Sequence, residues 1–179
     1  MTLIAAVIED GKVHMLGDTF TGFNHVKGRD TREKVWQAGD KVLGGAGNVR
    51  SILAFRYGFE FPLVPEGQSD DAYMRFTFPA ALREFLKEHV HVAITNDSED
   101  GNLALLIGWR GRIWCMADDF SITEEVCGWN AIGSGCEVAL GALWVTRDLP
   151  AGRRLQAAGF AAEEYVSSVR GPFTVVVEP

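Results

Sequence analysis

Positive charge is scarce in this chain: 17 lysines and arginines stand against 24 aspartates and glutamates over 179 residues, a net charge of -7. That balance argues against bulk electrostatic attraction to nucleic acid or to an anionic membrane. Long apolar runs are missing too, and none approaches the roughly 20 residues of a membrane-spanning helix. The apolar opening TLIAAVI has no basic segment before it and runs straight into Glu9 and Asp10, so it makes a poor signal peptide. Only three cysteines occur, Cys115, Cys127 and Cys136, an odd number without CxxC spacing. Neither a disulfide framework nor a zinc site fits them, and reduced thiols in a cytoplasmic protein are expected. His89 and His91 lack a third ligand at suitable spacing, so no metal is expected there, and no cofactor motif is found. GxxxxGK[ST] is absent, which excludes a phosphate loop of that kind. Repeats, low-complexity tracts and linkers are absent as well, and one domain over residues 1–179 is expected.

What is present is a series of short apolar runs divided by turn residues. Leu3 to Glu9 and Lys12 to Gly17 flank Asp10-Gly11, a strong two-residue hairpin signal. Thr19 to Thr31 is polar and reads as a loop or a ragged strand pair. Lys34 to Gln37 and Lys41 to Leu43 read as strands around a turn at Ala38-Gly39-Asp40. Gly44-Gly45-Ala46-Gly47 follows, and Asn48 can cap a helix running to about Tyr57. Ser69 or Asp70 caps a second helical region, with Phe78, Ala81, Leu82, Phe85 and Leu86 at helical spacing and Pro79 starting or kinking part of it. Asn102 to Trp109 and Arg112 to Ala117 form another strand pair around Arg110-Gly111. Trp129 to Gly133 is a strand ending at Gly133-Ser134-Gly135. Helices from about Glu137 to Arg147 and around Leu155 to Val166 lead to a closing strand, Phe173 to Val177.

Helices thus arrive in pairs between runs of strands. That order argues against a doubly wound parallel sheet. It fits an α+β fold of two antiparallel sheets packed face to face, with a helix pair outside each.

Thr2, Gly17-Asp18, Lys34, the glycine-rich stretch at Gly44 to Gly47 and Ala131-Ile132-Gly133-Ser134-Gly135 follow in this order along the chain. In these features the sequence resembles the proteasome β-subunit family, and within it the HslV-like peptidases and small proteasome-like proteins of actinobacteria and their phages. The resemblance spans essentially the whole chain. It implies a four-layer αββα N-terminal-nucleophile hydrolase fold, polypeptide substrates, self-association into rings, and room for an ATP-dependent unfoldase as partner.

The resemblance also assigns roles. Thr2 matches the nucleophile, exposed at the N-terminus once Met1 is removed. A threonine hydroxyl needs a base as it attacks, and an α-amine, with an ordinary pKa of roughly 7.7–8.0, suits that task. Small second residues permit methionine removal, so no self-processed propeptide is expected. Lys34 matches the lysine beside the nucleophile, and Asp18 the carboxylate that orients it. Gly47, with Gly45 as alternative, matches the donor to the oxyanion. Ser134 matches the serine near the threonine amine. The family's late aspartate is missing from AAEEYVSSVRGPF: Glu163 or Glu164 could substitute, but Ser167 and Ser168 lie closer to the expected place.

The expected activity is a threonine-type peptidase in a self-compartmentalised ring. An amidase or acylase acting on a small substrate, or a structural ring without turnover, are the alternatives. Arg32, two residues from Lys34 on a strand, is expected to favour acidic side chains before the scissile bond.

Overall fold

The computed structural model describes residues 2–23, 26–29, 33–90, 93–95 and 98–179. Strands β1 (Ile4–Glu9) and β2 (Lys12–Asp18) form the expected hairpin, with positive φ at both Asp10 and Gly11. A short pair follows, β3 (Phe20–Phe23) with β4 (Val26–Arg29), so the described part of the polar stretch is the ragged strand pair. Then come β5 (Val35–Ala38), β6 (Lys41–Gly47) and helix α1 (Val49–Gly58), whose first turn is capped by the Asn48 side chain on the Arg50 N–H.

The next helical region begins at α2 (Asp70–Ala72), capped by Ser69, and continues through a π-helical turn at Tyr73–Thr77 into α3 (Phe78–His89). The cause of the wide turn is local. Pro79 has no N–H to donate to the preceding turn, and just before it the Phe78 N–H bonds Tyr73 O, five residues back. The remaining strands are β7 (Ala93–Thr95), β8 (Ser98–Asp100), β9 (Leu103–Trp109), β10 (Arg112–Met116), β11 (Ile122–Glu124) and β12 (Trp129–Ile132). Helices α4 (Cys136–Val145) and α5 (Ala151–Tyr165) and strand β13 (Phe173–Val177) complete the chain.

Two sheets carry the architecture, ordered β12-β1-β2-β13 and β11-β10-β9-β6-β5, with every pairing antiparallel. Strand side chains alternate between faces, and here both faces are apolar. In and just before β1, Leu3, Ala5 and Val7 pack with Leu143, Leu155 and Ala158 of α4 and α5. Ile4 and Ala6 turn the other way, onto Val35, Val42, Leu106 and Ile113 of the second sheet. In β9, Leu103, Leu105, Ile107 and Trp109 pack with Ile52 and Phe55 of α1 and Phe78, Leu82 and Leu86 of α3. The layers therefore run helices, sheet, sheet, helices: an α+β, four-layer αββα sandwich. Near the end of the chain, buried Glu178 accepts N–H bonds from Val13 and Gly111, tying the β1–β2 sheet to the β9–β10 hairpin.

Three features depart from the sequence expectation. Strand β6 continues through the glycine run instead of stopping at Leu43, because its ladder with β9 extends to Gly47 opposite Leu103. Strand β11 and the β7–β8 hairpin have three-residue strands, too short for periodicity to register.

Candidate active site

The site lies where β1 begins and β2 ends. Asp18, the last residue of β2, is fully buried, and its carboxylate faces back towards the start of β1. Its Oδ1 accepts the Leu3 N–H at 2.8 Å, its Oδ2 accepts the Phe20 N–H at 3.2 Å, and both oxygens lie 2.9 Å from Lys34 Nζ. The backbone closes the same corner, with the Asp18 N–H donating to Leu3 O at 3.1 Å. One carboxylate thus ties a lysine ammonium to the main chain directly after Thr2. Lys34 is itself buried, at 7% exposure, so the pair is not a solvated surface ion pair.

Thr2 is buried too, and its N–H donates to Ser134 Oγ at 3.1 Å. Ser134 also lies 3.3 Å from Thr2 O, which accepts the Gly135 N–H at 3.2 Å. The turn after β12 therefore grips the Thr2 peptide from both ends. Gly133 makes the grip possible. Its φ is +90°, and a Cβ there would stand 2.4 Å from Thr2 O.

The glycine run presents one donor on the Lys34 side. Gly45 N–H already donates to Lys34 O at 3.2 Å. Strand N–H groups alternate sides, so Gly47, two residues on, turns its N–H to the same side of β6 and away from β9. Asn48, one further, donates to Asn102 O across the β9 side at 2.8 Å. Of the two glycines named from sequence, Gly45 is engaged by Lys34, and Gly47 stands at the strand end with φ +122°, where a Cβ would meet Asn102 O at 2.4 Å.

Of the two serines named near the end of the chain, Ser168 has its Oγ 2.9 Å from Ser134 Oγ. Glu163 is engaged elsewhere, accepting the Gly171 N–H at 3.2 Å. Arg32 and His91 lie outside the described residues. His89 Nδ1 is 2.9 Å from Phe85 O, and its ring stacks on Phe85. Burial, Glu125 and Cys136 push the Cys115 thiol up from its ordinary pKa, and the hydrogen bond with Glu125 does so first for Cys127, so both are poor thiolate nucleophiles. Among the described residues, no cluster of three or more His, Cys, Asp or Glu could hold a metal ion, and no helix is long and apolar enough to cross a membrane.

No family model matches the chain, and no curated protein does. Solved structures do. The structure of Thiobacillus denitrificans BPH in complex with epoxomicin shares 26% identity, covering 98% of this chain and 97% of that one, with a TM-score of 0.79. Eukaryotic HslV from Trypanosoma brucei shares 20% identity over 98% of each chain, with a TM-score of 0.68. Anbu (ancestral beta-subunit) from Yersinia bercovieri shares 15%, covering 99% of this chain and 81% of that one, with a TM-score of 0.70. The four layers are those of the N-terminal-nucleophile hydrolase fold in its proteasome-like form.

Proposed function

We propose, from its likeness over nearly the whole chain to the proteasome-like structures of BPH and HslV, that the chain is a member of the proteasome β-subunit and HslV-like family and a threonine-type peptidase, with Thr2 as nucleophile once Met1 has been removed. The observation that carries this reading is the buried Lys34–Asp18 pair anchored on the Leu3 N–H, with Ser134 on the nitrogen of Thr2. In a chain that begins at Thr2 that nitrogen is an amine. Its lone pair takes the hydroxyl proton as Oγ attacks the scissile carbonyl. The Lys34 ammonium disfavours a second positive charge on the amine and stabilises the developing alkoxide. Gly47 N–H donates to the tetrahedral oxyanion, a contact worth roughly 2.7–4 kcal/mol in comparable acyl transfer. The leaving amine departs with the proton held at Thr2, and water then hydrolyses the ester with the same amine as base.

The test is turnover of fluorogenic peptides by a preparation whose chains begin at Thr2, beside Thr2→Ala. Peptide cleavage lost in Thr2→Ala supports the reading. Cleavage retained by Thr2→Ala removes it, and turnover of small amides alone would make the protein an amidase.

Self-association into a closed ring belongs to the same proposal. Helix α4, CEVALGALWV, is apolar nearly all round, yet only Ala139 and Leu143 are buried, and Trp144 and Val145 stand exposed. A helix of that composition is normally covered on every side. On α1, Val49, Leu53 and Tyr57 form a second exposed apolar stripe. Such a ring would admit extended polypeptide, supplied by an ATP-dependent unfoldase, and the free thiols suit a cytoplasmic location. Light scattering is expected to give a large multiple of 19.6 kDa, and a monomer would remove the compartment.

A further inference from the structure

Two thiols line a cleft that backs onto the Thr2 corner, and neither has a part in the chemistry proposed above. The cleft, of about 490 Å³, lies between the end of β12 and strands β9 and β10, with Cys115, Cys136, Ala104, Met116, Ile132 and Gly133 in its walls. Cys115, on β10, packs against the apolar residues between the sheets. Cys136, the first residue of α4, packs against the cluster under α4 and α5. Both thiols are free and partly exposed, whereas Cys127 is exposed and stands outside the cleft.

Cys136 is built into the turn that holds Thr2. Its N–H donates to Gly133 O at 3.1 Å, the Gly135 N–H donates to Thr2 O at 3.2 Å, and a Cβ at Gly133 would stand 2.4 Å from Thr2 O. We propose that Cys115 and Cys136 are a redox pair, oxidised to a disulfide by a low-molecular-weight disulfide, and that the cross-link shuts the site at Thr2. The shutting of the site rests on the peptidase reading above, and the cross-link does not.

In the first step Cys136 Sγ attacks one sulfur of the oxidant RSSR, whose S–S bond breaks, and the departing RS⁻ takes up the proton that Cys136 gave up. Cys115 Sγ then attacks Cys136 Sγ and expels a second RSH. The two thiols lose two electrons and two protons, and the oxidant gains both. Burial first, then Glu125 and Cys136, push the Cys115 thiol up, which makes Cys115 the second thiol to attack. A disulfide fixes its Cα atoms roughly 4.4–6.8 Å apart. One running from β10 therefore sets the position of Cys136 and of the turn behind Thr2. Reducing conditions reopen the bond, as suits a thiol sensor.

The experiment treats chains beginning at Thr2, in a Cys127→Ser background, with hydroxyethyl disulfide. Intact mass, peptide mapping and peptide turnover are followed together. The expected product is about 2 Da lighter, with Cys115 and Cys136 joined in the peptide map. Its turnover should fall roughly tenfold or more, and dithiothreitol should restore it. Cys115→Ser should instead keep one half of the reagent on Cys136, and Cys136→Ser should keep its rate under the same treatment. A lasting adduct on Cys136 with Cys115 still a thiol would overturn the pair, as would no reaction at either residue. A cross-link that leaves turnover unchanged would overturn the switch. If reduced chains beginning at Thr2 do not turn over peptide, the peptidase reading falls, and mass and peptide map still decide whether the pair forms.

Discussion

The Lys34 ammonium sits 2.9 Å from each oxygen of Asp18, and neither side chain is more than marginally exposed. A buried pair of this kind differs from a surface one. Removing one partner strands the other charge away from water, at a cost of about 3–5 kcal/mol. From sequence alone, Lys34→Ala is expected to abolish acylation and leave the fold intact, and burial revises the second half.

Lys34→Ala is therefore expected to lose peptidase activity and also to be destabilised by about 3 kcal/mol, towards the lower end because Leu3 and Phe20 N–H groups still solvate Asp18. Asp18→Asn, which keeps hydrogen-bonding capacity, should lose less of both. Urea unfolding alongside turnover separates the effects. A Lys34→Ala variant with parental activity would show that the corner is structural alone.

Gly133→Ala should remove activity by displacing Thr2. The new Cβ would stand 2.4 Å from Thr2 O at a φ of +90°, a strain of about 1–3 kcal/mol. A shift of about 1 Å at the nucleophile costs on the order of 100-fold in rate. Gly152→Ala on α5 is the control, because a Cβ there meets nothing within 4 Å. Equal turnover by both variants would contradict the placement of Thr2 against this turn.

Alkaline stability should report Tyr73. Its hydroxyl donates to Pro62 O at 2.8 Å, and burial, with the Asp40 charge second, pushes its pKa up to about 12. A folded pKa above the unfolded value of roughly 10 favours the folded state below pH 10, and that contribution is lost as pH rises towards the folded pKa. Tyr73→Phe is expected to be about 1 kcal/mol less stable at pH 8. The difference should shrink by pH 11.5 in urea titrations. A constant difference would mean that Tyr73 does not titrate with unfolding.

The hairpin at Asp10-Gly11, the Asn48 cap and the pairing of helices could be read in the chain because each rests on local spacing and turn chemistry. The four layers followed from element order. What the sequence could not supply was burial and direction. Lys34 and Asp18 look like any surface pair until the corner closes over them. Gly45 and Gly47 are equivalent as letters, and only the strand pairing shows that Gly45 has spent its N–H on Lys34. Ser167 and Ser168 were likewise adjacent candidates, divided by which hydroxyl the loop aims at Ser134. Glu178 carried no signal beyond a charge at the end of an apolar strand, although it joins two sheets.

Treatment with epoxomicin, the compound held by the Thiobacillus denitrificans protein, followed by intact mass spectrometry, tests Thr2 most directly. The sample is a mixed preparation of chains with and without Met1, and Thr2→Ala is the control. Met1 turns the Thr2 nitrogen into a non-basic amide, which removes the proposed proton acceptor. Chains beginning at Thr2 should therefore gain the mass of one inhibitor, while chains that retain Met1 and the Thr2→Ala variant should gain none. An adduct on Met1-bearing chains, or on Thr2→Ala, would show that another residue carries the chemistry.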